Sequence, residues 1–167
     1  MDVKIGEYKA QKPKLDHIIG EENPVLSIFL RGHLVLEGIL EELLRTQNIV
    51  SLKKISRKTM AEKIKLYRDL KLISLNLQSF LLEVNRLRNK FAHRLGYDLT
   101  QEDVHLLINL AAAAPEIDFS DDMHSLDRKT LFEWYTDTAG VLLEMFKHAA
   151  LDLAFLVTEN GGEELFE

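Results

Sequence analysis

Residues 24–46, PVLSIFLRGHLVLEGILEELLRT, carry the pattern that decides the fold. Their apolar residues recur every three or four positions, as on one face of an α-helix. Pro24 suits the first helical turn, where its missing N–H has no partner to lose. The apolar face comprises Leu26, Phe29, Leu30, Leu36, Leu40, Leu43 and Leu44. The stretch therefore predicts one long amphipathic helix, whose apolar face must be buried against other elements.

Helical periodicity continues along most of the chain, which has only three prolines and eight glycines in 167 residues. Further helices are predicted at about 57–71, 75–94, 101–113 and 127–158. Ser56 and Thr100 are expected to cap the second and fourth of these five helices, and Gly96 to follow the end of the third. We therefore predict an all-α fold, a compact up-and-down bundle of about five helices.

Length and composition indicate a single domain of an ordinary globular protein. We assign residues 1–22 to a loose N-terminal arm, 23–158 to the helical domain and 159–167 to an acidic tail. No apolar run approaches the ~18 residues that span a membrane, and the N-terminus lacks the apolar centre of a secretory signal. Cysteine is absent, which fits a reducing compartment. These features predict a cytoplasmic protein.

Basic residues are concentrated in one segment of an acidic protein. The formal net charge is −6, yet residues 53–94 hold 12 of the 21 Lys and Arg and only three acids, which makes that segment +9 and the remainder −15. Two interpretations stay open: a footprint for a nucleic acid, or pairing with acidic helices of the same fold or of a partner subunit. In the first, the binding cations would be Lys63, Lys65, Arg86, Lys90 and Arg94.

The stretch NRLRNKFAHRLG, residues 85–96, places polar side chains at the end of the third predicted helix. The apolar stripe of that helix runs into Arg88, which we therefore expect to be partly shielded from water. Asn85, Asn89 and His93 are stacked beside it at i, i+4 spacing. The amides of this strip can orient a ligand or hold the arginine, which makes Asn85 a supporting residue.

These side chains provide the chemical groups that a metal-independent cleavage of a phosphodiester needs. The planar guanidinium of Arg88 can stabilise charge on a phosphoryl group, and His93 can move the proton of a ribose 2′-hydroxyl. Ideal helix geometry separates the two by ~140° and ~7.5 Å along the axis, so a two-fold dimer would assemble them better than one helix. The alternative is a helix end whose histidine caps carbonyls and whose arginine pairs with an acid.

RNKFAH, Arg88 to His93, matches the R-x4-H motif of the HEPN superfamily, including the common asparagine after the arginine. NRLRNKFAHRL resembles HEPN proteins generally. AEKIKLYRDLKLIS and the earlier LRGHLVLEGILEELL resemble, more narrowly, the mannitol operon repressor branch. The resemblance covers about residues 24–110 and implies a dimer of short helical bundles.

The resemblance also implies a function. Many HEPN proteins are metal-independent ribonucleases of toxin–antitoxin, antiphage or RNA-processing systems, in which the motif arginine and histidine form the active site. Carried over, these roles fall on Arg88 and His93, with Asn89 as the polar motif residue. Repressor-like members have no established catalysis, so the alternative is a non-catalytic regulator that binds protein or nucleic acid.

A second polar interruption lies in the first helix, at Arg31, His33, Glu37 and Glu41. One interpretation is that Glu37 meets Arg88 across the bundle and orients it, because an unpaired carboxylate on a core stripe is costly. The other is a local pair of His33 and Glu37 at a subunit or solvent edge. We treat Arg31, His33 and Glu37 as supporting residues.

Metal and nucleotide chemistry find little support in the sequence. A carboxylate metal site in a bundle would need Glu-x-x-His pairs on two helices, and the chain has neither these nor a P-loop, a GxGxxG after a strand or a GxSxG. Trp134 and Tyr135 are expected in the core or a dimer interface. We expect no metal and no cofactor; the expected partners are a second copy, RNA, and an antitoxin or other protein.

Overall fold

The computed structural model describes residues 23–47, 52–94, 96–118 and 138–166. The chain is all-helical in these ranges, as predicted, and they contain no β-strand. The helices are α1 (Pro24–Thr46), α2 (Leu52–Ile55), α3 (Met60–Asp69), α4 (Leu75–His93), α5 (Gln101–Ala112) and α6 (Thr138–Glu159). None of them is long and apolar enough to cross a membrane. The predicted arm at 1–22, and the predicted start of the last helix, lie outside the described residues.

Capping explains where α1 and α5 begin, and both begin where the sequence predicted. The side chain of Asn23 accepts a hydrogen bond from the N–H of Leu26, and Pro24 opens the helix. At α5, Thr100 and Asp103 form a reciprocal capping box, in which each side chain accepts from the other's N–H.

The second predicted helix is present, but its predicted start after a Ser56 cap was wrong. A one-turn helix, α2, ends before Ser56, and α3 begins only at Met60. Its cap is Thr59, whose N–H donates to a Glu62 carboxylate oxygen at 2.8 Å while its hydroxyl accepts from the N–H of Glu62. This capping box satisfies two N–H groups that would otherwise be unpaired. It therefore fixes Thr59 as the N-cap and Met60 as the first residue of α3.

Helices α1 and α6 run parallel and in close contact. Gly32 faces the Phe146 ring, and a Cβ added to Gly32 would lie 2.4 Å from that ring. At the other end, the Gln47 amide donates to the Asn160 amide oxygen at 3.4 Å. Gly32 and Phe146 are 114 positions apart in the sequence, and Gln47 and Asn160 are 113 apart. Because this separation is nearly constant from one end of the pair to the other, the two helices run in the same direction.

The core lies between this pair and α3, α4 and α5, and it orients the polar end of α4. The rings of Phe29 in α1 and Phe91 in α4 lie 5.2 Å apart, which brings the last turns of α4 alongside α1. Leu142 and Met145 of α6 are fully buried in this core. Trp134 and Tyr135 lie outside the described residues.

Candidate functional site

Arg88, Asn89 and His93 are all exposed on the last turns of α4. The expectation that Arg88 would be shielded is wrong, because Leu87, not Arg88, continues the buried stripe of α4. The Arg88 guanidinium donates to the side-chain oxygen of Asn89 at 3.2 Å. Asn85 is half-buried one turn earlier.

The backbone of α4 stays α-helical through both Arg88 and His93. Two side chains five residues apart on a regular helix point ~140° from each other. Both groups are therefore open to solvent, and they emerge on different sides of α4. A ligand that touches both must wrap around the helix end, or a second protein surface must complete the site.

His33 of α1 lies on the same side of the molecule as Arg88, but it is buried. It is 4% exposed, and its Nε2 has no hydrogen-bond partner among the described residues. Burial lowers the pKa of the imidazole below its ordinary value of 6.5; Glu37 opposes this shift, while the cations Arg88 and Lys63 add to it. His33 is therefore a neutral imidazole at neutral pH.

Glu37 pairs with Lys63 of α3. One of the two interpretations of the sequence paired Glu37 with Arg88 instead. Lys63 is only 5% exposed, and its ammonium lies 2.6 Å from a carboxylate oxygen of Glu37 and 2.5 Å from one of Glu41. Burial by itself would lower the pKa of Lys63, but hydrogen bonds to the two carboxylates raise it. This corrects two expectations, a Glu37–Arg88 contact and a surface position for Lys63.

Tyr67 completes this ion cluster from α3. Its ring is fully buried and its hydroxyl has no hydrogen-bond partner among the described residues. Burial, together with the negative charges of Glu41 and Glu37, raises the pKa of the phenol well above its ordinary value of 10. The hydroxyl therefore stays protonated at neutral pH.

Two more of the predicted binding cations are engaged in ion pairs at the junction of α4 and α5. Arg86 pairs with Glu83 and lies 3.3 Å from Asp103. Lys90 lies 3.8 Å from Asp103 and 5.0 Å above the Tyr97 ring. Burial and the hydrogen bond that its hydroxyl donates to Asp103 raise the pKa of Tyr97 to about 12. These contacts tie the C-terminal end of α4 to α5.

Lys65 and Arg94 are exposed and have no ion pair with any described residue. The positive segment is thus partly neutralised within the fold, and the charge that still faces solvent comes from residues such as these two. Arg31, which the sequence grouped with His33 and Glu37, points away from them: on an ideal helix it lies ~160° from His33. It faces a groove on the other side of α1.

No cluster of three or more His, Asp or Glu side chains that could hold a metal ion occurs within the described ranges. Sequence reasoning missed three features: the partners of Lys63, the Tyr97–Asp103 contact and the groove beside Arg31. Only the burial of Lys63 had a clear sequence signal, because Lys63 shares one helical face with Met60, Ile64 and Tyr67; its partners had none.

Comparisons of the chain with models of known protein families, with curated proteins and with solved structures found no match. Function must therefore be argued from the residues of α4 and their surroundings.

Proposed function

We propose that the protein is a metal-independent endoribonuclease of the HEPN type, with Arg88 and His93 as its catalytic residues. The observation that carries the proposal is the exposure of both side chains on the last turns of a regular helix. Exposure leaves both side chains accessible to an RNA phosphate and ribose. The Arg88–His93 stretch also matches the R-x4-H motif.

The chemistry needs only these groups and the RNA. His93 removes the proton of a ribose 2′-hydroxyl, whose oxygen attacks the adjacent phosphorus. The bond from phosphorus to the 5′-oxygen breaks, that oxygen takes up a proton, and a 2′,3′-cyclic phosphate remains. The Arg88 guanidinium stabilises the negative charge that develops on the phosphoryl oxygens. Asn89 holds the guanidinium through its 3.2 Å hydrogen bond.

A two-fold dimer is part of the proposal. Arg88 and His93 point ~140° apart on α4, so one copy presents them poorly to a single phosphate. Two copies of α4 that face each other across a two-fold axis would place the Arg88 of one beside the His93 of the other. Lys65 and Arg94 would extend the positive surface along the RNA.

The test is cleavage of RNA by purified protein in the presence of a chelator. His93→Ala and Arg88→Ala should each reduce the rate by about 10²-fold or more. Arg88→Lys should recover little, since an ammonium lacks the planar fork. His105→Ala and Arg45→Ala are matched controls away from α4 and should cleave like the parent. Because Arg88 and His93 are exposed, circular dichroism and melting temperature should stay unchanged in all these variants.

Substrates and products provide an independent check. Replacing the ribose at the cut site by deoxyribose should stop cleavage, and the product should carry a cyclic phosphate. Equal cleavage by parent, His93→Ala and Arg88→Ala, or activity that disappears only with chelator, would refute the proposal. A toxin role in a toxin–antitoxin or phage-defence pair predicts growth arrest on expression, relieved by His93→Ala.

A non-catalytic regulator of the mannitol operon repressor kind is the second candidate. It is favoured by the ion pairs of Lys63, Arg86 and Lys90, which leave less positive surface for RNA. In that case the same end of α4 would bind a protein or a nucleic acid. Saturable binding without cleavage, weakened by Arg88→Ala, would decide for this candidate.

A further inference from the structure

A groove of about 530 Å³ lies between α1 and α6, on the side of α1 away from the candidate active site. Its walls are apolar except for two cations, Arg31 of α1 and Lys147 of α6. Its volume falls within the range of sites that hold one small molecule. Apolar walls with a few convergent polar groups are typical of such sites.

The floor of the groove depends on Gly32. Because Gly32 has no Cβ, the Phe146 ring packs directly against the backbone of α1. Val35 and Ala150 continue the floor toward the C-terminal ends of the two helices, and Phe166 reaches over from the tail. A second depression, lined by Leu151, Phe155 and Phe166 among others, extends the apolar surface in the same direction.

The parallel register places the two cations at nearly the same level. Gly32 faces Phe146, so their sequence neighbours Arg31 and Lys147 lie on opposite walls of the groove, within one helical turn along the axis. One negatively charged group between the walls can therefore contact both cations.

Neither cation is committed to a strong interaction. Arg31 has no ion pair with any residue in the described ranges. Lys147 pairs with Glu144 at 2.9 Å, but this is an exposed i, i+3 pair on one helix, a type that contributes little to stability. Among the described residues, therefore, no strong contact holds either side chain away from an anion in the groove.

We propose that this groove binds an amphipathic monoanion, a carboxylate on a linear apolar chain. The carboxylate lies between Arg31 and Lys147, and the chain follows the apolar floor from Phe146 toward Leu151 and Phe166. The charge of the two cations selects the anion, and the apolar length of the groove selects the chain. This inference does not depend on the proposed ribonuclease activity, because the groove and α4's polar end lie on different sides of α1.

Equilibrium dialysis of the full chain against decanoate tests the proposal. Decanoate should bind saturably, with one molecule per chain. Decanol, which keeps the apolar chain and lacks the charge, should bind at least about tenfold more weakly, since a charge-assisted contact to each cation is lost. Acetate, which keeps only the charge, should not bind measurably.

Variants of the groove provide the matched comparison. Arg31→Gln and Lys147→Gln should each weaken decanoate binding about tenfold. Leu151→Asp should also weaken it, and because Leu151 is 57% exposed this change should leave the fold intact. Leu106→Asp, at a similarly exposed leucine of α5 outside the groove, should bind decanoate like the parent.

Three results would overturn the proposal: no saturable binding, equal affinity for decanoate and decanol, or unchanged affinity in both cation variants. Light scattering addresses the other occupant, a second copy of the chain. If Leu151→Asp converts a dimer to a monomer and decanoate does not bind the parent, the groove is a subunit interface and the proposal is wrong.

Discussion

Replacing Lys63 by methionine tests the buried ion cluster between α1 and α3. The ammonium makes hydrogen bonds to the Glu37 and Glu41 carboxylates, and a hydrogen bond to a charged group contributes about 1.5–3 kcal/mol. The carboxylate side chains are 23% and 38% exposed, so water replaces part of what is lost. Two such bonds sum to about 3–6 kcal/mol, and because water replaces part of that we expect a net loss of about 2–3 kcal/mol. For a chain of this size that loss lowers the melting temperature by roughly 5–10 °C.

Urea unfolding followed by circular dichroism measures this loss. Lys65→Met is the matched control, because it changes the same residue type on the same helix. Lys65 is exposed and unpaired among the described residues, so this substitution should change the free energy of unfolding by no more than about 0.5 kcal/mol. Adding Glu37→Gln and Glu41→Gln to Lys63→Met should restore part of the stability, since no uncompensated charge then remains. Equal stability of Lys63→Met and the parent, or equal losses at the two lysines, would refute the reasoning.

Three further perturbations test residues of α1, α3 and the end of α4. Tyr67→Phe should leave stability unchanged or raise it by up to about 1 kcal/mol in urea unfolding, because the buried hydroxyl has no hydrogen-bond partner among the described residues. The parent should lose stability as the pH falls below 6.5, because the unfolded chain protonates His33 while the folded chain, with its lowered pKa, does not. In His33→Gln, denaturation across the same pH range should show a smaller loss. Lys65→Glu and Arg94→Glu should each weaken RNA binding and reduce the slope of log affinity against log salt by about one, as measured by fluorescence anisotropy.

Each expectation has a result that contradicts it. Destabilisation of Tyr67→Phe by more than about 1 kcal/mol would mean that the hydroxyl makes a hydrogen bond. If the stability of the parent and of His33→Gln changes equally with pH, His33 does not cause the pH dependence. If RNA affinity does not depend on salt concentration, or if neither Lys65→Glu nor Arg94→Glu changes it, these two cations do not bind RNA electrostatically.

Local sequence was sufficient for most of the helices, because capping and periodicity act over a few residues. Pro24 and Thr100 fixed two helix starts in advance. The start of α3 was missed although its signal was present: Thr59 is followed three residues later by Glu62, the spacing of a capping box, whereas Ser56 has Thr59 at that position. A stricter use of this spacing would have placed the boundary correctly.

Contacts between helices were harder to predict, since they depend on register and rotation. That Lys63 is buried could be inferred from its place on the apolar face of α3, but its partners depend on how α3 packs against α1. For the same reason the sequence left two interpretations of Glu37 open, a contact with Arg88 or a local pair with His33, and neither included Lys63. The exposure of Arg88 and His93 could not be derived from the strip alone, because Leu87 and Arg88 are adjacent and a small rotation of α4 exchanges their environments.

The parallel pairing of α1 with α6 bears on how this chain folds while it is being synthesised. The contact between Gln47 and Asn160 joins residues 113 positions apart. At about 5–20 residues per second, the ribosome adds the α6 partner roughly 6–23 s after α1 has been made. During this interval the side of α1 that will face Phe146 has no α6 to cover it, and such transiently exposed apolar surface favours aggregation. Release of the chain before α6 is complete would leave that surface permanently open, so truncated products should be chaperone-dependent or insoluble.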